Sequence, residues 1–187
     1  MRPMRDSLRL VTGIARMASA PNAPSRSMVT FVEFANPARG LADTYFHVGF
    51  TIPGAGYTVA APPVSQYNTN VVYTQYDGWA NPPDRPWHIL ADLNAWAGAA
   101  HLHAPTAFAS PSQAVEVSSV TNSLGGTTTT YMIPTATLPL LTPLQHMGVP
   151  TRIVSELNSV LKPIVNEGYS QYDPTGGPYL SQGNLVS

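Results

Sequence analysis

The chain has 187 residues, 43% of them hydrophobic and only 10% charged, with a formal net charge of -1 and no cysteine. That length favours one domain with a core of its own. The near-neutral balance removes the basic face that nucleic-acid binding needs, and the lack of cysteine excludes disulfides, thiolate metal sites and a cysteine nucleophile.

Residues 1–27 stand apart, because Arg2, Arg5, Arg9, Arg16 and Arg26 are set against a single acid, Asp6. Ala18-Ser19-Ala20 imitates a signal-peptide cleavage site, but Arg9 and Arg16 interrupt the apolar core that an export signal requires. Leu8, Val11, Ile14 and Ala15 fall on one face of a helix, so the segment reads as a basic N-terminal helix or leader-like stretch. No run approaches the ~20 apolar residues that cross a bilayer, and no membrane span is expected.

Residues 28–35 (MVTFVEFA) form a β-branched and aromatic run closed by Asn36-Pro37, the pattern of a buried strand. Short strands are expected at 45–52 and 57–61, with turns at Gly54 and Gly56, and a longer one at 70–76 that ends on Asp77-Gly78. Residues 86–100 carry Trp87, Leu90, Leu93, Asn94 and Ala97 at helical spacing after Pro86, a residue that a first helical turn tolerates. Two β-rich runs, 115–120 and 127–133, flank a loop suited to a hairpin. A short helix broken by Pro143 follows at 138–147, then a longer one at 151–167 closed by Gly168 as a C-cap, then a polar, glycine-rich tail.

With few carboxylates and five histidines, each placement is informative. Asp77 closes a predicted strand and His103 lies just beyond the next helix, an order that suits the later members of a Ser, Asp, His triad. In such a site the histidine takes the serine proton while the aspartate fixes the tautomer and stabilises the imidazolium. The competing reading is an ordinary Asp-Gly turn. His101 and His103 are two residues apart, but a zinc site needs a third ligand and none stands near in the sequence; no metal and no cofactor are expected. The one partial match to a G-x-S-x-G nucleophile turn, Gly168-Tyr169-Ser170-Gln171-Tyr172, follows a helix and puts bulky Tyr172 where a small residue is needed, so Ser170 is rejected as nucleophile.

Several stretches then agree with one family in the right order. The run Tyr73-Thr74-Gln75-Tyr76-Asp77-Gly78, followed by Leu90-Ala91-Asp92-Leu93-Asn94-Ala95, Gly98 and His103, resembles the PE-PPE domain of mycobacteria and their relatives. Phe31-Val32-Glu33-Phe34-Ala35-Asn36-Pro37, Thr130-Tyr131-Met132-Ile133-Pro134, Leu138 through Leu144 and Val165-Asn166-Glu167-Gly168-Tyr169 extend the resemblance.

The resemblance implies an incomplete α/β-hydrolase fold over 28–172: the remnant of a mainly parallel sheet with flanking helices and an inserted β-hairpin, followed by a flexible tail at 173–187. It implies a serine esterase, lipase or acyltransferase acting on acyl esters or envelope glycolipids, at the cell envelope or secreted, with Asp77 and His103 as acid and base. Family members commonly show a second aspartate four residues beyond the first, and Asn81 stands there in this chain. The family's nucleophile serine and the strands before it are expected upstream of this chain, with Arg2 to Ala20 as the helix that normally follows the nucleophile, so the chain is expected to be inactive alone and to self-associate through an exposed sheet edge. The alternatives are a non-catalytic envelope-binding module, or an active esterase with its serine supplied by another chain or by a local residue such as Ser65 or Ser110.

Overall fold

A computed structural model describes residues 12–54 and 56–187. The expected N-terminal helix lies partly outside them, at Leu8 and Val11; within them residues 12–18 are helical and bury Ile14.

Four strands make the central sheet, in the order β1 (Thr30–Phe34), β4 (Asn68–Thr74), β6 (Thr127–Ile133), β5 (Val115–Thr121). The first three run parallel and β5 is antiparallel to β6. With flanking helices this is a mixed, mostly parallel α/β sheet. β4 is one of the two inner strands, and its Thr69, Val71 and Tyr73 are buried at the period of two that a strand imposes. The β5–β6 hairpin expected as an insertion is an integral edge of the sheet, since β6 pairs with β4 from Thr69↔Thr128 to Thr74↔Ile133.

Between β1 and β4 the chain forms a five-residue helix, α1 (Leu41–Tyr45), and a small antiparallel pair, β2 (Thr51–Ile52) with β3 (Tyr57–Thr58). Of the strand expected at 45–52, Tyr45 ends the helix and only Thr51–Ile52 pairs as a strand. Two longer helices, α2 (Ile89–His101) and α4 (Thr151–Asn166), gather with a 3-10 turn at Pro139–Leu141 around Tyr76, Ala91, Leu138, Leu141, Val154, Val165 and Tyr169. The rings of Tyr76, Tyr169 and Tyr172 meet within this cluster at centroid distances of 5.6 to 6.2 Å. Pro143 does not break the helix expected at 138–147; it sits in the first turn of α3 (Thr142–His146), where its missing N–H costs nothing.

Gly168 also plays a different part from the expected cap. It stays outside the left-handed region, and a Cβ there would stand 2.3 Å from the Ala91 methyl, so it is the absence of a side chain that lets the end of α4 touch α2. The tail expected at 173–187 contains a hairpin, β7 (Tyr179–Ser181) with β8 (Asn184–Val186). Backbone bonds hold it to the body, from Leu180 N to Asp84 O at 2.7 Å and from Gln182 N to Asp43 O at 2.7 Å. The buried Arg85 guanidinium ties the approach to it, donating to the carbonyls of Glu167, Asp173, Gly177 and Pro178 at 2.8 to 3.2 Å. No helix of the described residues is long and apolar enough to cross a membrane.

Candidate active site

The chain leaves β4 through a tightly fixed turn. Gln75 N donates to Ile133 O at 2.9 Å, and Thr135 answers with bonds from its N and Oγ1 to Gln75 Oε1 and O. Tyr76 follows in the left-handed region, φ +68°, a conformation that a bulky residue adopts only when its surroundings enforce it. Here the enforcement is visible: the Tyr76 hydroxyl donates to Asn166 Oδ1 at 2.7 Å, and its carbonyl oxygen abuts Gly98 of α2 so closely that a Cβ on Gly98 would lie 1.9 Å away. This reversal aims the next residue, Asp77, away from the sheet and into protein.

Asp77 is fully buried. Its Oδ1 accepts the Trp79 backbone N–H at 3.0 Å, and its own carbonyl accepts the N–H groups of Ala80 and Asn81 at 3.1 and 2.6 Å. His103 Nδ1 stands 2.9 Å from Asp77 Oδ2 and 3.2 Å from Oδ1. An ionised carboxylate only accepts, so Nδ1 is the donor in this pair and Nε2 is the nitrogen turned away from it. The His103 side chain is 19% exposed and the Asp77 carboxylate 0%, so the imidazole reaches out from a dry, negatively charged anchor.

The position of His103 depends on a lock that sequence spacing did not disclose. Thr106 Oγ1 donates to Leu102 O at 2.8 Å, which leaves the Thr74 hydroxyl as donor in the 2.8 Å contact between Thr74 and Thr106. Both threonines are buried, and together they clamp the turn carrying His103 to the end of β4. The Trp79 ring lies over the other side of the site, 6.3 Å from the His103 ring centroid. A threonine three residues after the histidine and a tryptophan two after the acid were the available signals.

Asn81, the position at which the resemblance implied a second acid, is not a partner of His103. It is buried and accepts a bond from Gln171 Nε2 at 2.9 Å. Ser170 donates from both its N and its hydroxyl to the Asp84 carboxylate, which makes it a structural tie. Ser65 is buried ahead of the N-terminal end of β4, separated from Asp77 by the whole strand, roughly 20 Å at the usual rise per residue. Ser110 is exposed and bonded to Ser112 at 2.8 Å. Among the described residues, no serine hydroxyl hydrogen-bonds His103. The His101 ring packs against that of His146, 6.3 Å between centroids, and no group of three or more metal-ligating side chains occurs among the described residues.

A family model described as the PE-PPE domain matches residues 9–170, most of the chain. The chain belongs to the PE-PPE domain family. Similar proteins of Mycobacterium tuberculosis include PPE63, a PPE family protein, 64% identical over 173 residues. SL1278 acyltransferase Chp1 is 39% identical over 176 residues, and diacyltrehalose acyltransferase Chp2 is 37% identical over 171. These matches cover 92%, 92% and 85% of this PE-PPE chain but only 36%, 43% and 47% of the three relatives, so it spans less than half of each. No solved structure matches it.

Proposed function

We propose that this PE-PPE chain provides the acid, Asp77, and the general base, His103, of a serine acyl-transfer site that hydrolyses acyl esters or passes the acyl group to a glycolipid hydroxyl. The observation that carries the proposal is the 2.9 Å contact between the Nδ1 of a partly exposed imidazole and a fully buried carboxylate. In this reading Nε2 takes the proton of an attacking serine, and Asp77 stabilises the imidazolium that results. The same proton then goes to the departing alkoxide, leaving an acyl-serine. His103 next deprotonates the water or alcohol that releases the acyl group. Relatives named acyltransferases favour the alcohol.

The nucleophile comes, on this proposal, from outside residues 1–187. β1 supports that placement. It is an edge strand, and its Val32 and Phe34 are 45% and 42% exposed. By register and alternation they share the sheet face of Val72 and Thr74, the side on which Thr106 holds the His103 turn. A strand added beyond β1 would set its C-terminal end, and a serine there, on the same edge of the sheet as the acid and base. Until that edge is filled, two copies pairing through β1 are its natural substitute, and self-association is expected.

The test is incubation of the purified chain with a fluorophosphonate probe and with p-nitrophenyl esters of short and medium acyl length. Neither label nor turnover is expected. A phosphonylated serine found by mass spectrometry would overturn the placement of the nucleophile; if labelling then survived His103→Ala, the role of the base would fall with it.

A further inference from the structure

Beside the turn that carries Asp77 lies a groove of about 310 Å³, walled mainly by Leu41, Trp79, Pro82, Ala95, Trp96 and Ala99. Two close approaches fix its position. Leu41 N donates to Trp79 O at 2.9 Å, closing one wall, and a Cβ on Gly78 would lie 2.4 Å from Ala95 O, so the acid turn rests directly on α2. Trp79 is common to the groove and to the surroundings of His103. One end of the groove is therefore bounded by the ring that stands beside His103.

The other end is different. Asp92 lies one turn before Trp96 on α2, and Tyr45, whose hydroxyl donates to Pro83 O at 2.5 Å, stands with it in the wall. Burial raises the pKa of Asp92 above the ordinary carboxylate range, opposed in part by His88, and raises that of Tyr45 as well, so both sit where charge is poorly solvated. Seven residues of helix separate Asp92 from Ala99, roughly 10 Å of apolar wall at 1.5 Å per residue. Hydrocarbon is favoured along that length, and a methyl end pushed further would strip water from a carboxyl group.

We infer that this groove holds the acyl chain of the ester substrate, with the carbonyl at the Trp79 and Ala99 end beside His103, and that Asp92 and Tyr45 form a polar stop limiting the chain to medium length. The inference rests on the acyl-transfer reading and adds to it a binding site and a length limit. Trp96, 72% exposed, also belongs to an apolar stripe with Ile89 and Leu93, 72% and 58% exposed, so the mouth of the groove continues onto an exposed apolar surface.

Binding needs no nucleophile, so the chain can be tested as it is. Two of its three tryptophans line the groove, which makes intrinsic fluorescence the readout. Titration with methyl hexanoate, octanoate, decanoate and palmitate, each as monomer, is expected to shift tryptophan emission to the blue with octanoate and decanoate binding at least tenfold more tightly than palmitate. Ala99→Phe, which fills the inner end, abolishes the shift, and Asp92→Leu moves the preference to longer chains. Should Ala99→Phe fail to fold, Trp96→Ser removes an exposed wall residue and is expected to weaken octanoate binding at least fivefold, read from Trp79. No response to any ester, an unchanged response in the folded groove variants, or palmitate bound as well as octanoate by the wild type would overturn the inference. If esters bind as stated while the Asp77 and His103 pairing fails its own test by nitrogen NMR, the groove stands and the catalytic reading falls; the reverse pair of results removes the groove alone.

Discussion

Replacing Gly98 with alanine places a methyl carbon 1.9 Å from the Tyr76 carbonyl oxygen and 2.8 Å from its carbon. Both are backbone atoms, so no side chain can swing aside. The helix and the turn must part by about 1.5 Å to reach an ordinary contact, and the turn is the one that holds Tyr76 in the left-handed region and aims Asp77 at His103. Overpacking of this kind costs about 1–3 kcal/mol even after a protein relaxes. For a domain of this size that corresponds to a fall in Tm of about 2–12 °C. Gly13, exposed in the helical stretch 12–18 with nothing within 4 Å of where a methyl group would stand, supplies the opposite sign: Gly13→Ala gains up to about 1 kcal/mol from helix propensity alone. Thermal and urea unfolding followed by circular dichroism measure both, and the His103 ring proton shifts report whether the pair has moved apart. If Gly98→Ala were as stable as Gly13→Ala with His103 undisturbed, α2 would not seat the acid in the way described.

Arg85→Met is expected to cost about 3–5 kcal/mol, because it strips guanidinium donors from four backbone carbonyls in a buried setting, and limited proteolysis should then cut within 173–187 while the wild type resists. Stability should also fall as pH rises past about 10, the ordinary tyrosine range. Burial raises the pKa values of Tyr45, Tyr73, Tyr76 and Tyr169, so the unfolded chain releases those protons first and the folded state loses ground above that pH, having kept its full stability below it. Phenolate absorbance and circular dichroism should change together; complete ionisation of all nine tyrosines with the fold intact would contradict the burial of the Tyr76 and Tyr169 cluster.

What the sequence disclosed was what depends on neighbours along the chain. β-branched runs marked β1, β4, β5 and β6, because strand-forming residues advertise themselves within a few positions, and the spacing in 151–167 marked α4. Asp77 stood out because an Asp-Gly closes a strand, and His103 because it follows the next helix. What stayed hidden depends on partners distant in sequence. α1 is too short to show a helical period, and the β7–β8 hairpin is held by Asp43, Asp84 and Arg85, more than 90 residues away in the last case for Pro178 and Gly177. The Thr74 and Thr106 clamp spans 32 positions, and no local pattern distinguishes it from two surface threonines. Gly168 looked like a cap since glycine commonly ends helices; only the packed structure reveals Ala91 against it. Which of Asp77 and Asn81 meets the His103 ring likewise needed geometry, since both lie in the same turn.

The pairing of acid and base is open to direct measurement by nitrogen NMR of His103 at neutral pH. The expected result is that the neutral form of the ring carries its proton on Nδ1, with Nε2 free to accept, and that this proton moves to Nε2 in Asp77→Asn as the acceptor that fixed the tautomer is lost. A wild-type ring protonated at Nε2, or a tautomer indifferent to Asp77→Asn, would contradict the pairing.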